Sequence, residues 1–122
     1  MNNLISIVEI ATSDFSRAVK FFQSILNVSI EAVDMGGTQM GIIPAEAGAV
    51  NLCLVKGEDI KPSTDGTVVY LNAGEDLQPM LERVKQNGGQ VLVPKTEIGP
   101  DMGFFALFLD TEGNKLGLHS IG

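Results

Sequence analysis

The chain is poor in the side chains that most catalytic and metal sites depend on. Among 122 residues it has one cysteine, one histidine, one tyrosine and no tryptophan. A lone cysteine, Cys53, cannot form an internal disulfide. It also excludes four-cysteine zinc sites and iron–sulfur sites built from several cysteines of one chain. A lone histidine, His119, leaves a Ser-His-Asp triad only one base and rules out a three-histidine metal site within one chain. Any metal site must rely on carboxylates, with His119 as the only imidazole. Positive charge is scarce as well: 8 Lys and Arg stand against 15 Asp and Glu, a net charge of −7. Nucleic-acid backbones and acidic membrane surfaces both call for a basic face, so neither is an expected partner. No apolar run approaches the ~18 residues of a membrane span. Met1-Asn2-Asn3 carries no basic charge and leads into only a short apolar run. No secretory leader is therefore expected, and the expected location is cytoplasmic.

What is present reads as a globular domain. Hydrophobic residues make up 44% and charged residues 19%, and the length suits a single domain over 1–122. Residues 3–11 read as a strand with one charge, Glu9. Residues 14–26 read as an amphipathic helix, with Phe15, Ala18, Val19, Phe22, Ile25 and Leu26 at helical spacing and Asp14 (or Ser13) as N-cap. Short strands are expected at 28–33, 38–43 and 49–55. Residues 56–66, rich in polar residues with Pro and Gly, read as a linker. The pattern then repeats. A strand is expected at 67–73. A helix at 76–87 has Leu77, Met80, Leu81 and Val84 on one face, Pro79 in its first turn and Gly88-Gly89 at its end. Strands follow near 90–94, 103–109 and 114–120.

The order is βαβββ, linker, βαβββ. Asp14-Phe15 opens the first helix as Asp76-Leu77 opens the second, which suggests a duplicated unit of ~50 residues spanning 3–55 and 67–121. One helix covers one face of a four-stranded sheet and leaves the other open. The open faces are expected to form a curved trough suited to a ligand, or to meet another chain. The fold class is α+β.

Two stretches resemble the vicinal oxygen chelate superfamily of glyoxalase I, bleomycin-resistance proteins and extradiol dioxygenases. The first runs from Glu9 through Asp14-Phe15-Ser16-Arg17-Ala18-Val19-Lys20-Phe21-Phe22. The second is Asp110-Thr111-Glu112-Gly113-Asn114-Lys115-Leu116-Gly117-Leu118. The resemblance implies paired βαβββ modules forming a trough. For enzymes of the family it implies a divalent metal held by the first and last strand of each unit, which would stabilise an enediolate-like anion as a Lewis acid. Carried over residue by residue, the first-strand position is Ile7 and the last-strand position is Gly117, where relatives place Glu. In the second unit the first-strand positions are Val69 and Leu71. In the first unit the last strand offers Asn51 and Cys53. The usual ligand set is missing. Two possible donors are displaced by two residues onto the same faces: Glu9 and His119.

Glu9 in an apolar strand is a candidate ligand or general base. The plainer reading is an edge glutamate or an ion pair with Arg17 or a lysine. His119 is a candidate metal ligand or acid/base partner of Glu9, or else a histidine hydrogen-bonded at a strand end. Cys53, Asn51, Val69, Leu71 and Gly117 are candidate lining of the ligand site, with Cys53 as a core thiol the plainer alternative. Met35, Met40 and Met102 are expected to fill core. Of Phe104 and Phe105, one should face a helix and the other the trough. Beside a bland role as an assembly or scaffold unit with a vestigial trough, two functions stay open. One is a lyase or isomerase acting on a small oxygenated metabolite, with an atypical or absent metal site. The other is a metal-free protein that binds or sequesters a small molecule. Partners are then a small-molecule ligand and a second copy in a homodimer, and the one cofactor to consider is a divalent metal ion.

Overall fold

The computed structural model describes residues 3–122. Five elements form the first unit: β1 (Ile7–Ala11), α1 (Phe15–Leu26), β2 (Glu31–Met35), β3 (Thr38–Ile42) and β4 (Asn51–Lys56). Five form the second: β5 (Tyr70–Asn72), α2 (Gln78–Gln86), β6 (Gln90–Gly99), β7 (Gly103–Leu109) and β8 (Lys115–Ser120). Each unit makes one four-stranded mixed sheet, in the orders β1-β4-β3-β2 and β5-β8-β7-β6. In both, the first strand runs parallel to the last and the other pairs are antiparallel. The duplication expected from the sequence is therefore present strand for strand.

An aspartate precedes each helix and accepts a backbone N–H, but only Asp14 is an N-cap; that position of α2 is Leu77, which makes no side-chain cap bond. Asp14 Oδ1 accepts the Arg17 backbone N–H at 3.1 Å, so one orphan donor of α1 is satisfied. Asp76 Oδ1 accepts the Gln78 N–H at 3.0 Å and also binds Lys95 Nζ at 2.8 Å. Helix α1 buries Phe15, Ala18, Phe21, Phe22 and Ile25, and α2 buries Leu81 and Val84. Beneath them lie Ile10 and Leu54 of the first sheet and Leu71, Ala106, Phe108, Leu116 and Leu118 of the second. All belong to one continuous core. Arg83 joins the helices by donating from Nε and Nη2 to the Ile25 carbonyl at the end of α1 (3.1 and 3.0 Å).

A turn in the second unit fastens it to the first. Asp110 Oδ1 accepts the backbone N–H groups of Glu112 and Asn114 at 2.8 and 2.9 Å. Asn114 Nδ2 reaches across to the Ala11 carbonyl at 2.7 Å, and its Oδ1 accepts the Ser63 N–H at 3.1 Å. The Glu112 side chain, 0% exposed, sits at the start of α1. Its Oε1 accepts the N–H groups of Ser13 and Asp14 (2.9 and 2.6 Å) and the Ser13 hydroxyl. Its Oε2 accepts Arg17 Nε at 2.7 Å and the Thr111 hydroxyl at 3.0 Å. Burial alone would raise this carboxyl's pKa. The Arg17 bond and the Asp14 and Ser13 N–H groups outweigh burial and bring it from 4.5 to about 2. Burial pushes the Asp110 carboxyl up, and its bonds from Asn114 and Glu112 only partly offset that.

Three strands depart most in length from the sequence expectation. The first begins at Ile7 rather than at residue 3, and the strand expected over 67–73 shrinks to Tyr70–Asn72. The strand expected to stop at Pro94 continues to Gly99. It is the edge of its sheet, where a missing N–H costs no ladder bond, and it carries register shifts around the proline. The expectation that the methionines fill core is corrected for Met35 and Met102, while Met40 is half-buried. Met35 and Met102 are 61% and 62% exposed, because one ends a strand on the open face of its sheet and the other sits in the turn between β6 and β7. Phe104 packs on the core while Phe105 pairs with His119 on the opposite face, as the pleat demands.

Candidate functional site

Strand alternation sorts the candidate residues. Ile10 is buried under α1, so Ile7 and Glu9 point to the open face of the first sheet. The parallel register sets Ile7 beside Asn51 and Glu9 beside Cys53. The Cys53 thiol is buried, with Sγ 3.8 Å from the Val8 carbonyl. Burial pushes its pKa up and the Glu9 charge pushes it further. A thiol held in that form is a packing group, which favours the core reading of Cys53 over any nucleophilic one.

Beside Glu9 a cavity of about 210 Å³ opens between β1, the segment after β4 and the start of β8. Lys61, Ser63, Asp65, Thr67 and Lys115 share its rim with Glu9, and Ile10, Val69 and Leu116 form its apolar side. The ion pairs among the described residues are Arg17–Glu112, Lys85–Glu82 and Lys95–Asp76. None of the four charged groups at the cavity takes part in them.

His119 is elsewhere. On β8 it shares a face with Lys115 and Gly117, but it lies four residues beyond Lys115, roughly 13 Å along the strand at ~3.3 Å per residue. It is no part of the cavity lining. Its Nε2 lies 3.0 Å from the Met102 carbonyl, and its neighbours in register are Asn72 and Phe105.

Between Lys115 and His119 stands Gly117, and the Tyr70 ring lies against it. A Cβ on Gly117 would clash with Tyr70 Cδ2 and Cε2. The ring occupies the space that a side chain at position 117 would need. Tyr70 is 49% exposed, so its outer part faces the trough. The structure therefore does not bring Glu9 and His119 together.

The second unit's first strand is one residue out of the expected phase. Tyr70 pairs with Gly117 and Asn72 with His119, which puts those two on the open face and Leu71 in the core. Leu71 is thus corrected from lining to core residue, while Val69, ahead of the strand, borders the cavity. Sequence reasoning missed Tyr70, Lys61, Asp65 and Lys115. For Tyr70 a signal existed: it is the chain's one tyrosine, in a strand whose partner carries a glycine where a side chain was expected. For Lys61 and Asp65 there was none, because loop placement does not follow from periodicity.

The residues present do not fit a metal centre. Ile7 offers no donor, Gly117 has no side chain and the ring of Tyr70 covers it. Among the described residues no three His, Cys, Asp or Glu side chains are grouped to hold an ion. Also among the described residues, no helix is long and apolar enough to cross a membrane.

Comparison with known proteins follows the geometry. The family model described as Glyoxalase/Bleomycin resistance protein/Dioxygenase superfamily matches residues 4–118. A "Glyoxylase-like domain-containing protein" of Didymella fabae is 36% identical over 123 residues, covering 93% of this chain and 91% of that one. A glyoxalase I mutant structure from Zea mays superposes with a TM-score of 0.73 at 18% identity, covering 94% of this chain and 45% of that one. This chain thus spans about half the length of the maize protein. The fosfomycin resistance protein FosX of Listeria monocytogenes gives a TM-score of 0.71 at 18% identity, with 100% of this chain and 94% of that chain covered. At these identities the structural likeness is one of fold.

Proposed function

We propose that this chain, which belongs to the Glyoxalase/Bleomycin resistance protein/Dioxygenase superfamily, binds a small molecule beside Glu9 without a metal held by its own side chains. The observation that carries this reading is the Tyr70 ring packed on Gly117. It fills the place where a last-strand carboxylate would project. Glu9 is left to face a small cavity edged by charges that form no ion pair among the described residues. Such groups remain available to a ligand, whereas a charge already paired and buried does not. Elemental mass spectrometry on untagged protein, after soaking with nickel, zinc, manganese and ferrous iron, tests it. Metal far below one equivalent is expected. One equivalent lost in Glu9→Gln or His119→Ala overturns it.

A second reading is a lyase or isomerase in which Glu9 takes a proton from a carbon beside a carbonyl. The exposure of Glu9 at a cavity supports it, as does the shared fold of glyoxalase I and FosX. Glu9→Gln separates the two. It abolishes turnover of α-hydroxycarbonyl compounds if Glu9 is the base, and only weakens binding if Glu9 is a recognition group. The exposed apolar side chains Ile7, Met35 and Ile42 on the open face support a homodimer, which sedimentation of the full chain tests.

A further inference from the structure

We infer that the Glu9 cavity takes a small zwitterion of the α-amino-acid type. This rests on the binding reading above and names the ligand class of that site. Two carboxylates, Glu9 and Asp65, and two ammonium groups, Lys61 and Lys115, surround one opening, and none of the four is ion-paired within 4.0 Å. An anion would meet the lysines but leave both carboxylates facing it. A cation would do the reverse. A ligand carrying one charge of each sign engages both sets.

The placement of these groups is not incidental. Lys61 and Asp65 lie on a segment without helix or strand, and Ser63 between them holds it in place. The Ser63 N–H donates to Asn114 Oδ1 at 3.1 Å, and its hydroxyl accepts the Asp65 N–H at 2.9 Å. Asn114 is itself fixed by Asp110 and Ala11. The segment is thus tied to the turn that joins the two units, and its charges flank the cavity. Val69, with the largely covered Ile10 and Leu116 beside it, gives the cavity a small apolar surface, which suits a short aliphatic side chain. The volume of about 210 Å³ lies below the ~300–1,000 Å³ usual for sites of drug-sized ligands. It admits a small amino acid and is too small for a drug-sized ligand.

The test is an amide chemical-shift titration of the full chain with L-alanine and L-valine. Acetate, methylammonium and propionamide serve as single-charge and neutral controls. Saturable shifts at Glu9, Thr67 and Lys115 are expected with the amino acids, at affinities at least tenfold above every control. Glu9→Gln and Lys115→Met should each weaken the amino acids roughly tenfold and should bring them down to the controls. Lys61→Met, on the loop, repeats the test should Lys115→Met not fold. Acetate or methylammonium binding as tightly as the amino acids overturns the zwitterion inference and leaves the binding reading standing. So does propionamide shifting the cavity while the amino acids do not. Silence of all five probes at the cavity overturns both.

Discussion

Glu112 and Glu9 are carboxylates on either side of the joint between the two units, and they stand in opposite conditions. Glu112 is fully covered and accepts five hydrogen bonds, from Ser13 twice, Asp14, Arg17 and Thr111. Glu9 is exposed and takes part in no ion pair or hydrogen bond found among the described residues. Burying an ion costs several kcal/mol unless partners replace its water, and Glu112 has a full set. Its charge also sits at the N-terminus of α1, where backbone N–H groups favour a negative group. The saturated carboxylate is therefore a fastening, and the unpartnered one is free to meet a ligand. Charge in an apolar stretch of sequence does not tell these cases apart; the donors around it do.

The sharpest way to break the contrast is to remove each group in turn. Glu112→Ala leaves the Ser13 and Asp14 N–H groups without their partner and should destabilise the fold by about 2–4 kcal/mol. Glu9→Ala should change stability by no more than about 0.5 kcal/mol. Urea unfolding measures both, and equal losses would erase the distinction. Next in size is a pH effect. The folded pKa of Glu112 is depressed from 4.5 to about 2. Its stabilisation is therefore present above pH 4.5 and fades as pH falls toward 2. Glu112→Gln should flatten the fall in stability across that window. Asp110, whose pKa burial raises, acts with the opposite sign, so its protonation relieves rather than adds to the loss.

Much of this was legible in the residues. The two Asp-hydrophobic helix starts, the helical spacing of the apolar faces and the glycine turns encode local geometry, and the paired βαβββ order follows from them. Strand phase made Ile7 and Glu9 face-mates, as found. What was not legible depends on non-local packing. The phase of β5 rests on three residues, too few for alternation to fix it, so Leu71 was expected on the open face and lies in the core. Glu112 was visible as part of a turn, but nothing in its neighbours announces Ser13, Asp14 and Arg17, about a hundred residues earlier in the chain. The gap between Glu9 and His119 depends on β1 meeting β8 at its Lys115 end, which no periodicity records.

The ground between the cavity and His119 gives a smaller effect. Gly117→Ala places a methyl group where the Tyr70 ring lies, and a half-exposed ring can swing away. The expected cost is about 1–2 kcal/mol. With one tyrosine and no tryptophan in the chain, intrinsic fluorescence excited for tyrosine reports on Tyr70 alone. Acrylamide should quench it more readily in Gly117→Ala than in the parent. Unchanged quenching together with unchanged stability would mean that the ring does not rest on Gly117, and the case against a carboxylate-bearing site there would lose its footing.

The smallest expected effect links Glu9 to its neighbour. Burial is the main reason the Cys53 thiol is slow to ionise, and the negative charge of Glu9 adds to it. Glu9→Gln removes only the second cause. Alkylation of Cys53 by iodoacetamide near pH 8 should therefore quicken by no more than about threefold, since a single charge near water-exposed surface is well screened. The increase should shrink as salt is added, because screening already weakens the Glu9 charge in the parent. A rate indifferent to both the substitution and the salt would separate Glu9 from Cys53. The carboxylate would then lie off the face that the register of β1 and β4 assigns to it, and the cavity would keep only one of its two carboxylates, Asp65.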